Sequence, residues 1–208
     1  MNIVFAYPTG LNPQKGGVER ITDIIAKILL KRGYTIFYLN WEREQDNYEY
    51  PVPVIDLPSS NLEDPNNLEV YNRFLKENRI DVIINQHGLY EGTYFLSQVK
   101  VQNVKIISVL HSDPFGYYDH LFADLMTLRD SSIKEKVKRV ARFFLYRKVK
   151  KIIHRSLVNH YTFIQEHPQY VCLLSESYKE RLEEYCDLPD NYFISIPNPN
   201  TYENIEII

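Results

Sequence analysis

Nothing constrains this chain more than its opening. Asn2 to Ala6 is a short apolar, partly β-branched run of the kind that forms a buried parallel strand. Val18 to Arg32 then repeats Ile21, Ile24, Ile25, Ile28 and Leu29 at helical spacing and closes on Gly33, a C-cap residue. Between them lies a loop, Tyr7-Pro-Thr-Gly-Leu-Asn-Pro-Gln-Lys-Gly-Gly-Val-Glu-Arg20. Strand, glycine-bearing loop and helix N-terminus in that order set free backbone N–H groups at the carboxyl edge of a sheet. Such an edge suits an anion or a sugar hydroxyl. Gly10, Gly16 and Gly17 are three of only seven glycines. The Gly16-Gly17 pair can adopt positive φ and lets a ligand approach the backbone closely. An ordinary βα turn has the same outline, and both readings stand. The spacing G-x-G-x-x-G is absent, so a tight nicotinamide-dinucleotide turn is not expected.

The same alternation continues. Strands are expected at Tyr34–Asn40, Val52–Leu57, Asp81–Asn85, Lys105–Leu110, Tyr170–Leu174 and Tyr192–Ile196. Helices are expected at Leu68–Asn78, Thr93–Val101, His120–Arg129, Ile133–His167 and Glu176–Tyr185, the last begun by Ser175 or, second choice, Ser177 as N-cap. Strands alternating with helices predict an α/β fold: a doubly wound, Rossmann-like parallel sheet with helices on both faces. Right-handed crossovers put every strand's carboxyl end on one edge. The loops holding Gly16-Gly17, His87 and His111 should therefore meet there.

A chain of 208 residues suits one sizeable core, with no apolar run long enough to span a membrane and no leader-like start. Cys172 and Cys186 lack metal-ligand spacing and read as reduced thiols of a cytoplasmic protein. No metal and no cofactor is expected. The net charge of −3 hides an uneven distribution. Lys134 to Arg155 carries ten Lys or Arg against Glu135 alone, a net +9, which leaves −12 for the rest. That asymmetry points to a localised surface for an anionic partner.

Two groups of residues carry a family resemblance. One is the Gly16-Gly17-Val18-Glu19-Arg20 loop after a first strand. The other is the Ser175 helix followed by Phe193-Ile-Ser-Ile-Pro-Asn-Pro199. With His111 between them at a strand end, the order resembles the amino-terminal half of family 4 glycosyltransferases. These are retaining enzymes of the GT-B architecture, in which two Rossmann-like domains face each other across a cleft. The resemblance implies that residues 1–200 are the acceptor-side domain and that 201–208 begin a hinge to a second domain absent from this chain. In the family that second domain holds most of the nucleotide-sugar donor, with a pair of glutamates seven residues apart.

For single residues, the resemblance implies that Gly16 and Gly17 lie near the donor's phosphates and that His111 reaches the transferred sugar, as the catalytic residue. A histidine capping a strand end is the plainer reading of His111. His87, with Gly88 beside it, is a candidate acceptor contact or a solvated strand-end residue. Asp113 either orients His111 at the acceptor side or caps the next helix. Asp119, His120 and Asp124 form no convincing metal or acid–base set, and His154, His160 and His167 read as structural or surface residues.

The basic segment has three readings: a solvated helix face, an interfacial helix on an anionic membrane, and a nucleic-acid site. The last is disfavoured because the rest of the chain is acidic. On the membrane reading Arg147, Lys148, Lys150 and Lys151 are membrane-facing, and at least one of Phe143, Phe144 and Tyr146 is exposed. The expected function is transfer of a sugar from a nucleotide-diphosphate donor to a glycan or lipid-linked acceptor with retention. The protein would be cytoplasmic, at the inner face of the membrane where the acceptor is lipid-linked. The alternative is a non-catalytic Rossmann-like domain that docks on a membrane or a protein partner.

Overall fold

The computed structural model describes residues 1–42, 47–88, 91–127, 132–167, 169–184, 187 and 189–197. The expected hinge at 201–208, the exit residues Asn198 and Pro199, and Cys186 lie outside them. Among the described residues the strands are β1 (Asn2–Ala6), β2 (Thr35–Asn40), β3 (Val54–Asp56), β4 (Val82–Asn85), β5 (Lys105–Leu110), β6 (Tyr170–Leu173) and β7 (Phe193–Ser195). The helices are α1 (Gly17–Lys31), α2 (Pro65–Glu77), α3 (Glu91–Leu96), α4 (Gly116–Met126), α5 (Ile133–Glu166) and α6 (Ser177–Glu183). The strands form one parallel sheet in the order β3-β2-β1-β4-β5-β6-β7, with Ile3 beside both Ile36 and Val82. The doubly wound α/β expectation holds, and the order reverses direction between β1 and β4. At such a switch point the loops above neighbouring strands part and leave a crevice.

Alternation along each strand sorts the core. Val4 and Ala6 of β1 join Leu39, Tyr71, Leu75, Ile83 and Phe95 under α2 and α3. Ile3 and Phe5 point the other way, into a cluster with Ala26, Ile36 and Tyr38 under α1. A third cluster joins Leu110, Val171 and Leu173 to Tyr161 and Ile164 at the end of α5. On the α1 side, Ile107, Val109, Cys172 and Leu174 line a narrow apolar cavity of about 170 Å³ that reaches Ile21 and Ile25. Burial pushes the free Cys172 thiol upward in pKa, so it is held protonated.

Local signals explain most boundaries. Asp64 caps α2, accepting from the Asn66 N–H at 2.9 Å, and Pro65 fills the first helical position. Gly33 follows α1 at φ 84°, where its lack of a Cβ is needed. Ser132-Ile-Lys-Glu135 is a capping box in sequence, and Ser132 Oγ accepts from the Glu135 N–H at 3.2 Å. Several boundaries differ from expectation: α2 starts at Pro65 and not Leu68, α3 runs Glu91–Leu96 and not Thr93–Val101, β3 shortens to Val54–Asp56, and two further helix starts have a visible local cause. Helix α6 begins at Ser177, not at Glu176, because Ser175 closes a turn of its own, its carbonyl accepting from Tyr178 at 3.2 Å. Helix α4 begins at Gly116 because Asp113 Oδ1 accepts from the Phe115 N–H at 2.8 Å and starts the turn four residues before the first strongly helical spacing.

The longest element is α5, with 34 residues. It pairs with α4 as a hairpin: Phe122 meets Tyr146 edge to face at 5.2 Å, and Lys150 lies 4.8 Å over the Tyr118 ring. At the base of the hairpin Arg181 of α6 donates to Asp119 from Nη1 and Nη2, at 2.6 and 3.2 Å. Only the last turns of α5 enter the core. Among the described residues no helix is long and apolar enough to cross a membrane.

Candidate functional site

Because β1, β4 and β5 are neighbours, the residues just past their carboxyl ends must lie side by side. Tyr7 follows β1, Gln86-His87-Gly88 follows β4, and His111-Ser112 follows β5. Together with Val18 of α1 they line a pocket of about 230 Å³. The expected meeting of the His87 and His111 loops is therefore found, and α1 closes one wall. None of the described lining residues is a carboxylate.

His111 Nε2 lies 2.5 Å from Gln86 Oε1. With Gln86 presenting its carbonyl oxygen, Nε2 carries the proton and Nδ1 the lone pair; Nδ1 has no hydrogen-bond partner among the described residues. Burial lowers the His111 pKa, so the ring is neutral near pH 7. His87 is also held neutral by burial. Its backbone N–H donates to Asn85 Oδ1 at 3.0 Å, and its ring stands edge-on to Tyr7 at 6.0 Å. Two neutral imidazoles offer hydrogen-bonding groups to sugar hydroxyls without adding charge, His111 as an acceptor through Nδ1.

Under this edge runs a buried polar chain. Asn85 Nδ2 donates to Thr93 Oγ1 at 3.1 Å and to Ser108 Oγ at 3.3 Å. Ser108 Oγ donates to Gln169 Oε1 at 2.8 Å, and Gln169 Nε2 donates to Ser97 Oγ at 2.5 Å. These bonds tie the ends of β4, β5 and β6 to α3, and so fix the loops that carry both histidines. No sequence motif singles out Gln86, Tyr7 or this chain as part of a site. Their signal was polarity where a buried strand should be apolar: Asn85-Gln86 ending β4, and Ser108 within Lys105–Leu110.

The glycines act differently from expectation. Gly16 is extended, with φ −161° and ψ 180°, and of the described glycines Gly33 is the one with positive φ. Gly16-Gly17 therefore does not use the left-handed region. What Gly16 provides is space, because the Glu19 carboxylate folds back against the position its Cβ would take. A negative group near a helix N-terminus is favourable, and at α1 Glu19 already supplies one. Gly17 is exposed, with nothing within 4 Å of its missing Cβ. Gly88 is required for a contact within the fold, not only for a ligand: a Cβ there would come 2.8 Å from the Val109 carbonyl oxygen. Asp113 directs its carboxylate to the start of α4. Arg147, Lys148 and Lys151 are exposed on α5, while Lys150 turns back over Tyr118 and Tyr146. Among the described residues no three His, Cys, Asp or Glu side chains cluster as a metal centre.

His160 of α5 sits directly behind the site. It is buried, bonded to the backbone of Gly88, and stands edge-on to Tyr94 at 5.7 Å. Burial lowers its pKa from 6.5 to about 4. His87, His111 and His160 all shift the same way, so below pH 6.5 the unfolded chain binds protons that the folded chain refuses. Stability should therefore fall as pH drops from about 6.5 towards 4, with His160 alone accounting for on the order of 2 kcal/mol by pH 5. Urea midpoints measured at steps between pH 7 and pH 5 should decline, and His160→Gln should flatten that decline. Equal slopes in both proteins would show that His160 is not held neutral.

Comparison with known proteins gives three findings. The Glycosyltransferase Family 4 profile matches residues 15–199. Among curated proteins none matches. Among solved structures, the Bordetella bronchiseptica enzyme WbmH in complex with NAD+ is similar at 11% identity and a TM-score of 0.40, over 83% of this chain and 54% of that one. A candidate epimerase from Burkholderia cenocepacia is similar at 12% identity and a TM-score of 0.38, over 83% of this chain and 52% of that one. The chain thus spans about half the length of these two structures. A profile match that runs from the Gly16-Gly17 loop through both histidine loops to the last strand covers most of the molecule, and the chain belongs to glycosyltransferase family 4.

Proposed function

We propose that this chain is the acceptor-side half of a retaining glycosyltransferase that moves a sugar from a nucleotide-diphosphate donor to a glycan or lipid-linked acceptor. The observation that carries the proposal is the pair of neutral imidazoles, His87 and His111, at adjacent strand ends on one pocket of a family 4 chain. In this reading His111 contacts the transferred sugar and is the catalytic residue. The N-terminus of α1 at Gly16-Gly17 lies beside the diphosphate, and His87 faces the acceptor, while Asp113, its carboxylate committed to the start of α4, supports the loop that carries His111.

The pocket offers oriented dipoles and no carboxylate among its described lining residues, so it would act by positioning and by stabilising developing charge. A second domain would hold the nucleotide, residues 201–208 would begin the hinge to it, and the enzyme would work in the cytoplasm, at a membrane where the acceptor is lipid-linked. The competing reading, a non-catalytic docking domain, draws on the exposed apolar surface of the α4–α5 hairpin.

The test separates them. Calorimetry of this 208-residue chain with nucleotide sugars should show no binding in the micromolar range. The same chain joined to a donor-binding domain should bind the donor and turn over. Micromolar binding to the chain alone would overturn the half-site reading. A joined protein that binds donor yet transfers to no glycan or lipid-linked acceptor would favour the docking domain.

A further inference from the structure

The apolar residues of α5 do not face the core along its first turns. Ile133, Val137, Val140 and Phe144 recur at intervals of four, three and four residues, and all are exposed, Ile133 at 80% and Phe144 at 76%. At 100° per residue they form one stripe. The next residues on the same stripe, again at intervals of four, three and four, are Lys148, Lys151 and Arg155, also exposed. One helix face is thus apolar for its first half and basic for its second. Phe143 flanks the apolar half, and with Met126 of α4 it borders a shallow groove over Val140 and Phe144. Glu135, the one acid of this segment, is buried and paired with Arg142 at 2.8 Å, so the surface presented is almost wholly cationic.

We propose that this face of the α4–α5 hairpin docks on an anionic lipid bilayer, with Ile133, Val137, Val140 and Phe144 sunk into the acyl boundary and Lys148, Lys151 and Arg155 on the headgroups. Charge selects the occupant. A solvated helix face has no need of four aligned apolar residues, and a nucleic-acid site has no use for them, whereas an interfacial helix needs both halves. The helix cannot plunge tip-first, because Lys134, Lys136, Lys138 and Arg139 ring the same turns and would enter hydrocarbon. It lies along the surface. The proposal does not depend on transferase activity.

The test is co-sedimentation of the 208-residue chain with vesicles of phosphatidylcholine alone or with one-third phosphatidylglycerol. Two variants accompany it, Val140→Ser/Phe144→Ser and Lys148→Gln/Lys151→Gln/Arg155→Gln. All five side chains are exposed, so circular dichroism should show both variants folded. The unsubstituted chain should bind the anionic vesicles at low salt, lose binding steeply as salt rises, and ignore the neutral ones. Each variant should bind the anionic vesicles at least tenfold more weakly. Equal binding to both vesicle types, no binding to either, or wild-type binding by the Val140→Ser/Phe144→Ser variant would overturn the proposal. So would a dimer in solution that this same variant abolishes, which would make a second copy the occupant.

Discussion

In the enzyme assembled with its donor-binding half, His111→Ala should lower kcat by about 10² or more, the scale of loss when one oriented hydrogen-bonding group at the reacting centre is removed. The expectation rests on three features of His111. It follows β5 at the switch-point edge, lines the pocket with His87, and is fixed by Gln86, which points its Nδ1 lone pair away from that bond. An interaction made mainly in the transition state should depress kcat and kcat/KM together and leave KM nearly unchanged. Gln86→Leu, which frees the ring without deleting it, should give a smaller loss of the same kind. Turnover unchanged in His111→Ala, with the unfolding midpoint also unchanged, would make the residue a bystander.

Asn85→Ala should cost about 3 kcal/mol of stability, the upper end of what a buried hydrogen-bonding group costs when its partners are left unpaired. Asn85 is fully buried and serves three groups at once: the Thr93 and Ser108 hydroxyls and the His87 backbone N–H. Removing it takes one hydrogen-bond partner from each of the three, two of them buried hydroxyls. For a chain of this size that loss lowers Tm by roughly 6 to 12 °C. Calorimetric melting decides the matter, and a shift under about 2 °C would mean that the polar chain repairs itself. Ser108→Ala should do less, because Gln169 keeps its bond to Ser97.

Much of this architecture was legible because a buried parallel strand writes itself as an apolar run. Asn2–Ala6 and Lys105–Leu110 occur where that pattern puts them. The meeting of His87 and His111 was legible for a topological reason, since parallel strands with right-handed crossovers share one carboxyl edge. The sequence was silent on pairings that only the sheet order creates. Gln86 reaches His111 across 25 residues, and Ser108 reaches Gln169 across 61. Gly16 misled because glycine marks two different needs, positive φ and empty space, and a sequence cannot say which. The periodicity of α5 was correct and its direction was not contained in it. An apolar stripe reads the same whether it faces a core or a bilayer.

The uninterrupted length of α5 has a mechanical consequence. Phe144, on its exposed face, and His160, bonded behind Gly88 at the rear of the pocket, belong to one helix with no break between them. Sixteen residues separate them, about 24 Å of rise along the axis. A helix moored along a bilayer would spend that distance sideways, and because sixteen residues turn about 160°, the pocket would sit across the rod from the moored stripe. Any tilt would convert part of that distance into height, so the angle of this one rod would set how far the pocket stands from the surface on which the stripe rests.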